Sequence, residues 1–330
     1  MTSENTPEPT VDEAFAERFR AIMQEWQAGD VSANSAKMAL ESMVEEAADD
    51  GNPMNQGGVE LNIGIIEGYL ANFVESARHF ESARQQFEAA GAKSRVITCD
   101  LNIGEVYRLQ GNFSRAQMFF RRAYDEAKAL NNPRTMAVAL TNEGQMWLSS
   151  GSFRKARECL DEAIEIAKTP YPDEDNESIY LSRIGVLAEI YHALTQIALT
   201  EGNPDAAWLY ARQSYKYGDE TGHPMRMGYG NRAIADVITA LGQSPAPEFK
   251  DDPDFYYKAA LSNFQQVKME GDVAKTLYSR ANSLARRSKK SSAAKLYQRA
   301  LAIFTKLGMT ADAANVADAQ MKATSEMPKL

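Results

Sequence analysis

The sequence predicts an all-α fold: a right-handed superhelical solenoid of about six or seven antiparallel helix hairpins. Three observations carry this expectation. Asn62, Asn102 and Asn142 follow one another at steps of forty residues, as do Gly64, Gly104 and Gly144, and again Phe73, Phe113 and Phe153. The aligned segments read LNIGIIEGYLANF, LNIGEVYRLQGNF and TNEGQMWLSSGSF, and self-similarity at a fixed step marks units that bury their apolar faces only against neighbours. Between these landmarks apolar residues recur at helical spacing, and no segment alternates convincingly with period two.

The elements follow in order. Residues 1–10, with TSENTPEPT, offer nothing to bury and read as a disordered tail. Residues 11–56 read as an N-terminal hairpin, a divergent repeat or cap. Its first helix, Val11 to Ala28, places Phe15, Phe19, Ile22, Met23 and Trp26 at helical spacing. Gly29 and Asp30 end it. A second helix from about Val31 to Ala48 has Met38, Leu40 and Met43 on its buried side, and Asp49-Asp50-Gly51-Asn52-Pro53 closes the pair. The regular array is expected over 57–307, with loop insertions at 169–180 and 243–253. The step from Gly151 to Gly202 exceeds forty by eleven residues, and Thr169 to Asn176 is expected to hold the excess as a loop. Helices are predicted at about Asp254 to Met269, Val273 to Ser288 and Ser291 to Leu307. Residues 308–330 then give a capping helix from Ala311 to Thr324 and a tail.

A glycine inside a helix costs about 1 kcal/mol relative to alanine, so three at one position require an offsetting close approach. The expected partners are small residues on the second helix of the same hairpin: Ser76 and Ala83, Ala116 and Ala123, Ala156 and Ala163.

Composition narrows the function. The chain of 330 residues is 44% hydrophobic and 25% charged, as folded proteins are. No stretch approaches eighteen uninterrupted apolar residues, which argues against membrane insertion. The opening MTSENTPEPTVDEAF lacks the basic start and apolar stretch of a secretory signal, so the expected location is cytoplasmic. Two cysteines, Cys99 and Cys159, are too few for a disulfide framework or a four-cysteine zinc site. His79, His192 and His223 stand far apart, without ligand spacing, so no metal site is expected. No strand–turn–helix context surrounds a serine, and Gly228-Tyr229-Gly230 precedes no glycine-lysine pair. The chain is therefore read as non-catalytic, with no cofactor.

The net charge of −9 is unevenly spread: residues 1–60 hold thirteen acids against Arg18, Arg20 and Lys37. Residues 273–311 carry nine basic residues and no acid, among them Arg286, Arg287, Lys289 and Lys290. The two ends can attract one another between molecules, so a salt-sensitive head-to-tail self-association is one expectation.

The repeated segments resemble the tetratricopeptide repeat family. Gly104 with Tyr107 and Gly144 with Trp147 give its glycine-aromatic pair, and Ala116 before Phe120 and Ala156 before Leu160 give its small-bulky pair. The turn signature is intact as Gly111-Asn-Phe113-Ser-Arg-Ala116 and Gly151-Ser-Phe153-Arg-Lys-Ala156, while the first unit has Ala71 and Ser76 instead. A forty-residue step exceeds the usual length and is similar to kinesin-light-chain-like and bacterial signalling members. The resemblance is clear over about 57–170 and extends to 307.

The resemblance implies that the first helix of each hairpin lines a concave face and that the residues three before and one after the glycine contact a peptide. Carried onto this chain, it points to Leu61 and Ile65, Leu101 and Glu105, Thr141 and Gln145, His192 and Gln196, Arg232 and Asp236, and Tyr278 and Asn282. Asn62, Asn102 and Asn142 fall on or beside that face. Their amides can hold the main chain of an extended peptide, or they can bond a neighbouring repeat and fix the stacking. The lysine-asparagine clamp with which some members grip a C-terminal carboxylate is absent, because Leu61 with Ile65 and Leu101 with Glu105 stand there. Leu61, Ile65 and Tyr69 suggest an apolar anchor pocket, or packing against the N-terminal hairpin.

The function expected is a protein-binding adaptor or scaffold that takes a peptide or partner protein in the concave groove. One alternative is a regulator whose array responds to a signal peptide. Another is a nucleic-acid accessory factor acting through 273–311, disfavoured because the chain as a whole is acidic.

Overall fold

The computed structural model describes residues 10–28, 30–172 and 176–325, and all regular structure among them is helical. Residues 1–9 of the expected 1–10 tail and the final five residues lie outside the described residues. The fifteen helices found there fall into two compact units, Met1–Asn131 and Asn132–Leu330. That division lies inside the stretch expected as one array.

The first unit contains three hairpins: α1 (Glu13–Ala28) with α2 (Ala33–Asp50), α3 (Pro53–Tyr69) with α4 (Phe73–Ala89), and α5 (Lys93–Leu109) with α6 (Phe113–Ala129). The second contains α7 (Pro133–Ser149) with α8 (Phe153–Lys168), α9 (Glu177–Thr200) with α10 (Pro204–Thr221), α11 (Pro224–Leu241) with α12 (Pro253–Gln266), and α13 (Glu270–Arg286) with α14 (Lys290–Lys306). A last helix, α15 (Thr310–Ser325), packs on α14. Within the second unit the first helices touch in succession, α7 on α9, α9 on α11 and α11 on α13.

Local chemistry sets the helix ends. Proline occupies the first turn of α3, α7, α10, α11 and α12, where its missing N–H leaves no gap. Asn52, Asn132 and Asn203 cap with their side-chain oxygens. Inside the hairpins the chain turns through a left-handed residue, such as Gly111 at φ 75° and Gly151 at φ 76°. The next N–H then returns to the helix: Asn112 N donates to Tyr107 O at 2.8 Å and Ser152 N to Trp147 O at 2.9 Å. Phe113 and Phe153 start the second helices immediately afterwards.

The repeated glycines do face the second helix of their own hairpins. The expected small residues touch two of them: Ser76 Oγ donates to Gly64 O at 2.7 Å, and Ala156 O lies 3.4 Å from where a β-carbon on Gly144 would stand. The nearest neighbours, however, are bulky. A β-carbon on Gly64 would lie 2.7 Å from the Phe80 ring, on Gly104 2.5 Å from Phe120, and on Gly144 2.7 Å from Leu160. Each glycine is the hole into which a large side chain inserts. The alanines one turn away, Ala116 and Ala156, are fully buried and keep the helices close enough for the insertion.

Two other expectations change. In α2 the buried stripe is Ala36, Leu40, Met43 and Ala47, and Met38, which falls off that stripe, is 67% exposed. The eleven-residue excess is mostly helix and not loop: α9 has 24 residues where α7 has 17. Residues 177–180, expected in the insertion, form its first turn. The 243–252 segment does form an irregular connection, held down by Phe249 against Trp208 at 5.1 Å and Tyr215 at 5.5 Å between ring centroids.

Candidate functional site

In the first unit, Asn62 and Asn102 are both half-buried and use their amide groups locally. Asn62 Nδ2 donates to Gly58 O at 2.7 Å and Asn102 Nδ2 to Thr98 O at 3.0 Å, each one turn back on its own helix. Neither of these bonds crosses to a neighbouring repeat. What each leaves for a ligand is its side-chain oxygen and the second amide hydrogen. Leu61 is buried, Leu101 is half-buried, and Ile65 is 38% exposed. Glu105 pairs with Arg108 on the same helix at 2.5 Å. Tyr69 packs edge-on against Trp26 of α1 at 5.2 Å between centroids, so it belongs to the contact with the N-terminal hairpin. Leu61 and Asn62 instead line a cavity of about 510 Å³.

In the second unit the equivalent positions divide into open and sealed. Asn142, Gln145 and Gln196 remain half-exposed. Thr141 is 2% exposed and donates its hydroxyl to Ala137 O at 2.7 Å. His192 and Arg232, at 5% and 3%, are sealed by the contacts of α9 with α11 and α11 with α13. These three cannot be open peptide contacts as the sequence suggested. Neighbouring first helices cover His192 and Arg232.

His192 and Arg232 carry out inter-repeat work instead. Arg232 Nη2 lies 2.6 Å from His192 Nε2, and Arg232 Nη1 donates to Asp272 Oδ1 at 3.2 Å. These three residues stand forty apart, one on each of α9, α11 and α13. Guanidinium can only donate, so Nε2 accepts and the neutral imidazole carries its proton on Nδ1. Burial, and then the cations Arg232 and Lys275, hold the His192 pKa well below its ordinary value. The Tyr229 ring stacks on His192 at 4.9 Å, and Arg232 lies over Tyr229 and Phe264. Asp236 accepts from Tyr257 Oη at 2.7 Å, and burial raises its pKa against the pull of Tyr257 and Arg232. Asn282 accepts from Tyr297 Oη at 2.7 Å, and the Tyr278 ring leans on Tyr297. Asp272, Tyr229 and Tyr257 were not singled out from the sequence. One further forty-residue step beyond Arg232 would have found Asp272.

Other chemistry finds little support. Cys99 and Cys159 are buried and in no disulfide, and burial pushes the Cys99 thiol up to about 12, the opposite of an activated nucleophile. No three His, Cys, Asp or Glu side chains gather to hold a metal ion among the described residues. No helix among them is long and apolar enough to cross a membrane. The basic 273–311 stretch is partly neutralised: Arg280 binds Asp254 at 2.7 Å, Arg287 meets Asp252 at 3.4 Å and Lys306 meets Glu270 at 2.9 Å.

Residues 57–129 and 97–169 each match the tetratricopeptide repeat family. No curated protein sequence matches the chain. Among solved structures, the chain is similar to RapI in its apo form, at 16% identity and TM-score 0.63, covering 89% of this chain and 98% of that one. It is also similar to aspartyl phosphate phosphatase F from Bacillus subtilis, at 15% and 0.67, covering 88% and 70%. A Rap conjugation gene regulator in complex with a Phr peptide matches at 15% and 0.63, covering 91% and 76%. At these identities the likeness is one of fold. Glycine holes filled by second-helix side chains, left-handed hairpin turns and the matched segments together make residues 57–169 a run of tetratricopeptide repeats.

Proposed function

We propose that this protein is a non-catalytic, cytoplasmic adaptor that holds a polypeptide segment of a partner on the faces of its first helices. The observation that supports this most is the recurrence of half-exposed amides at equivalent first-helix positions. These are Asn62 and Asn102 in the first unit, and Asn142, Gln145 and Gln196 in the second. Amide oxygens and NH2 groups match the main chain of an extended peptide and ask little of its side chains. The test is affinity capture with the wild-type chain and with Asn102→Ala/Gln145→Ala. A partner retained by the first, and lost by a variant of unchanged melting temperature, supports the reading; equal retention overturns it.

A second reading, a regulator that responds to a signal peptide, draws on the similar fold that binds a Phr peptide. It predicts compaction in small-angle scattering when the ligand is added. An adaptor predicts no change in dimensions.

A further inference from the structure

Helix α3 contains two adjacent glycines, Gly57 and Gly58, outside the forty-residue pattern. Two glycines within a helix forfeit roughly 2 kcal/mol together, which close approaches on both sides can offset. On one side a β-carbon at Gly57 would lie 2.7 Å from the Phe87 ring of α4. On the other, a β-carbon at Gly58 would lie 3.3 Å from Phe19 of α1 and 3.6 Å from Val11. Phe19 and Phe87 are thereby drawn in to flank α3, and they wall the cavity of about 510 Å³ together with Val11, Ala16 and Leu61. That volume lies within the range of sites that take organic ligands, about 300–1,000 Å³.

The polar part of the lining is lopsided in charge. Glu13 and Arg20 neutralise each other in an ion pair at 2.5 Å. Arg95, also lining the cavity, is exposed and has no ion pair among the described residues. It stands in the first turn of α5, whose N-cap, Ala92, contributes no side-chain acceptor. Both the guanidinium and the positive end of the helix favour an anion there. Asn62 adds its side-chain oxygen as an acceptor for an N–H. The walls call for a large apolar group and the single uncompensated charge calls for a carboxylate beside it.

We propose that this cavity is an anchor pocket for a partner polypeptide, taking a large apolar side chain while Arg95 holds the carboxylate of an adjacent Asp or Glu. The proposal rests on the polypeptide-binding reading above and adds where and by what sequence the partner is anchored.

The test uses the full chain and the capped dipeptide Ac-Phe-Asp-NH2, with Ac-Phe-Asn-NH2 and Ac-Ala-Asp-NH2 as comparisons, followed by NMR titration at millimolar concentration. The expected result is saturable shifts confined to the cavity residues. Arg95→Ala, or Asp replaced by Asn in the probe, should weaken binding by about three- to fivefold, the range of a solvent-screened pair. Filling the cavity with Ala16→Phe, or from the half-exposed side with Asn62→Phe should the first variant fail to fold, should abolish it. Shifts that survive both filling variants overturn the proposal, as does equal binding of all three probes. Self-association that disappears in the filled variants would put a second copy in the pocket and also overturn it. The polypeptide reading stands or falls separately, on capture with Asn102→Ala/Gln145→Ala, since neither residue lines this cavity.

Discussion

Gly104 shows how one atom decides a hairpin. Any β-carbon there would stand 2.5 Å from Phe120, a ring buried within the same hairpin with nowhere to retreat. Gly104→Leu is expected to lower stability by about 1–3 kcal/mol through overpacking, read by denaturant melts. Phe120→Leu should recover part of that loss in the double variant, because the two residues share one space. His192 makes a prediction in pH. Its folded pKa is held below the unfolded value, so at neutral pH both states are uncharged and nothing is lost. As pH falls through about 6.5 the unfolded chain takes up a proton that the folded chain refuses, and stability declines by up to about 1.4 kcal/mol per unit. Melting temperatures from pH 7 to 5 should fall more steeply for the wild type than for His192→Asn. Equal slopes would show that His192 titrates normally.

Among the elements, the turns and the ties between helices carry the argument. Ala71 occupies the left-handed position at φ 62° where the equivalent turns have Gly111 and Gly151. An L-residue is strained there by about 1–2 kcal/mol, partly offset by the extra freedom glycine gives the unfolded chain. Ala71→Gly should therefore stabilise by about 0.5–1 kcal/mol, seen as a higher melting temperature. In the first unit Asp100, fully buried on α5, accepts from Arg84 of α4 at 2.8 Å and from Arg122 of α6 at 2.7 Å. Removing Arg84 leaves a buried carboxylate with one cation in place of two, and Arg84→Met should cost about 2 kcal/mol, less than a complete break because Arg122 remains. These features differ in how far the sequence announces them. The forty-residue step makes the glycines visible, because identical residues recur at identical places. Their large partners were missed because the alanines nearby also recur, and repetition alone does not say which neighbour touches. The length of α9 was hidden for another reason. Proline, aspartate and asparagine between Thr169 and Asn176 mark a loop, yet seven further residues simply continue a helix whose apolar pattern is unbroken.

At the scale of the molecule, all-helical architecture was legible from spacing, because a fixed period constrains every unit at once, and the repeat type over 57–169 from the residues that recur at that spacing. The candidate surface was legible only in part. The amides at Asn62, Asn102, Asn142, Gln145 and Gln196 stay accessible to some degree. Thr141, His192 and Arg232 occupy equivalent places but are buried, and local sequence does not reveal how closely neighbours pack. In the second unit, side-chain bonds between neighbouring first helices run through His192, Arg232 and Asp272. The cavity beside α3 depends on two glycines outside the repeat and on a helix from the N-terminal hairpin, so no periodic signal pointed to it. The central claim is that partners are held on the first helices. Hydrogen–deuterium exchange of the chain with and without its captured partner tests this most directly. Slowed exchange in α3 and α5 of the first unit and in α7 and α9 of the second is the predicted result. Slowing confined to α4, α6, α8 and α10 would contradict it.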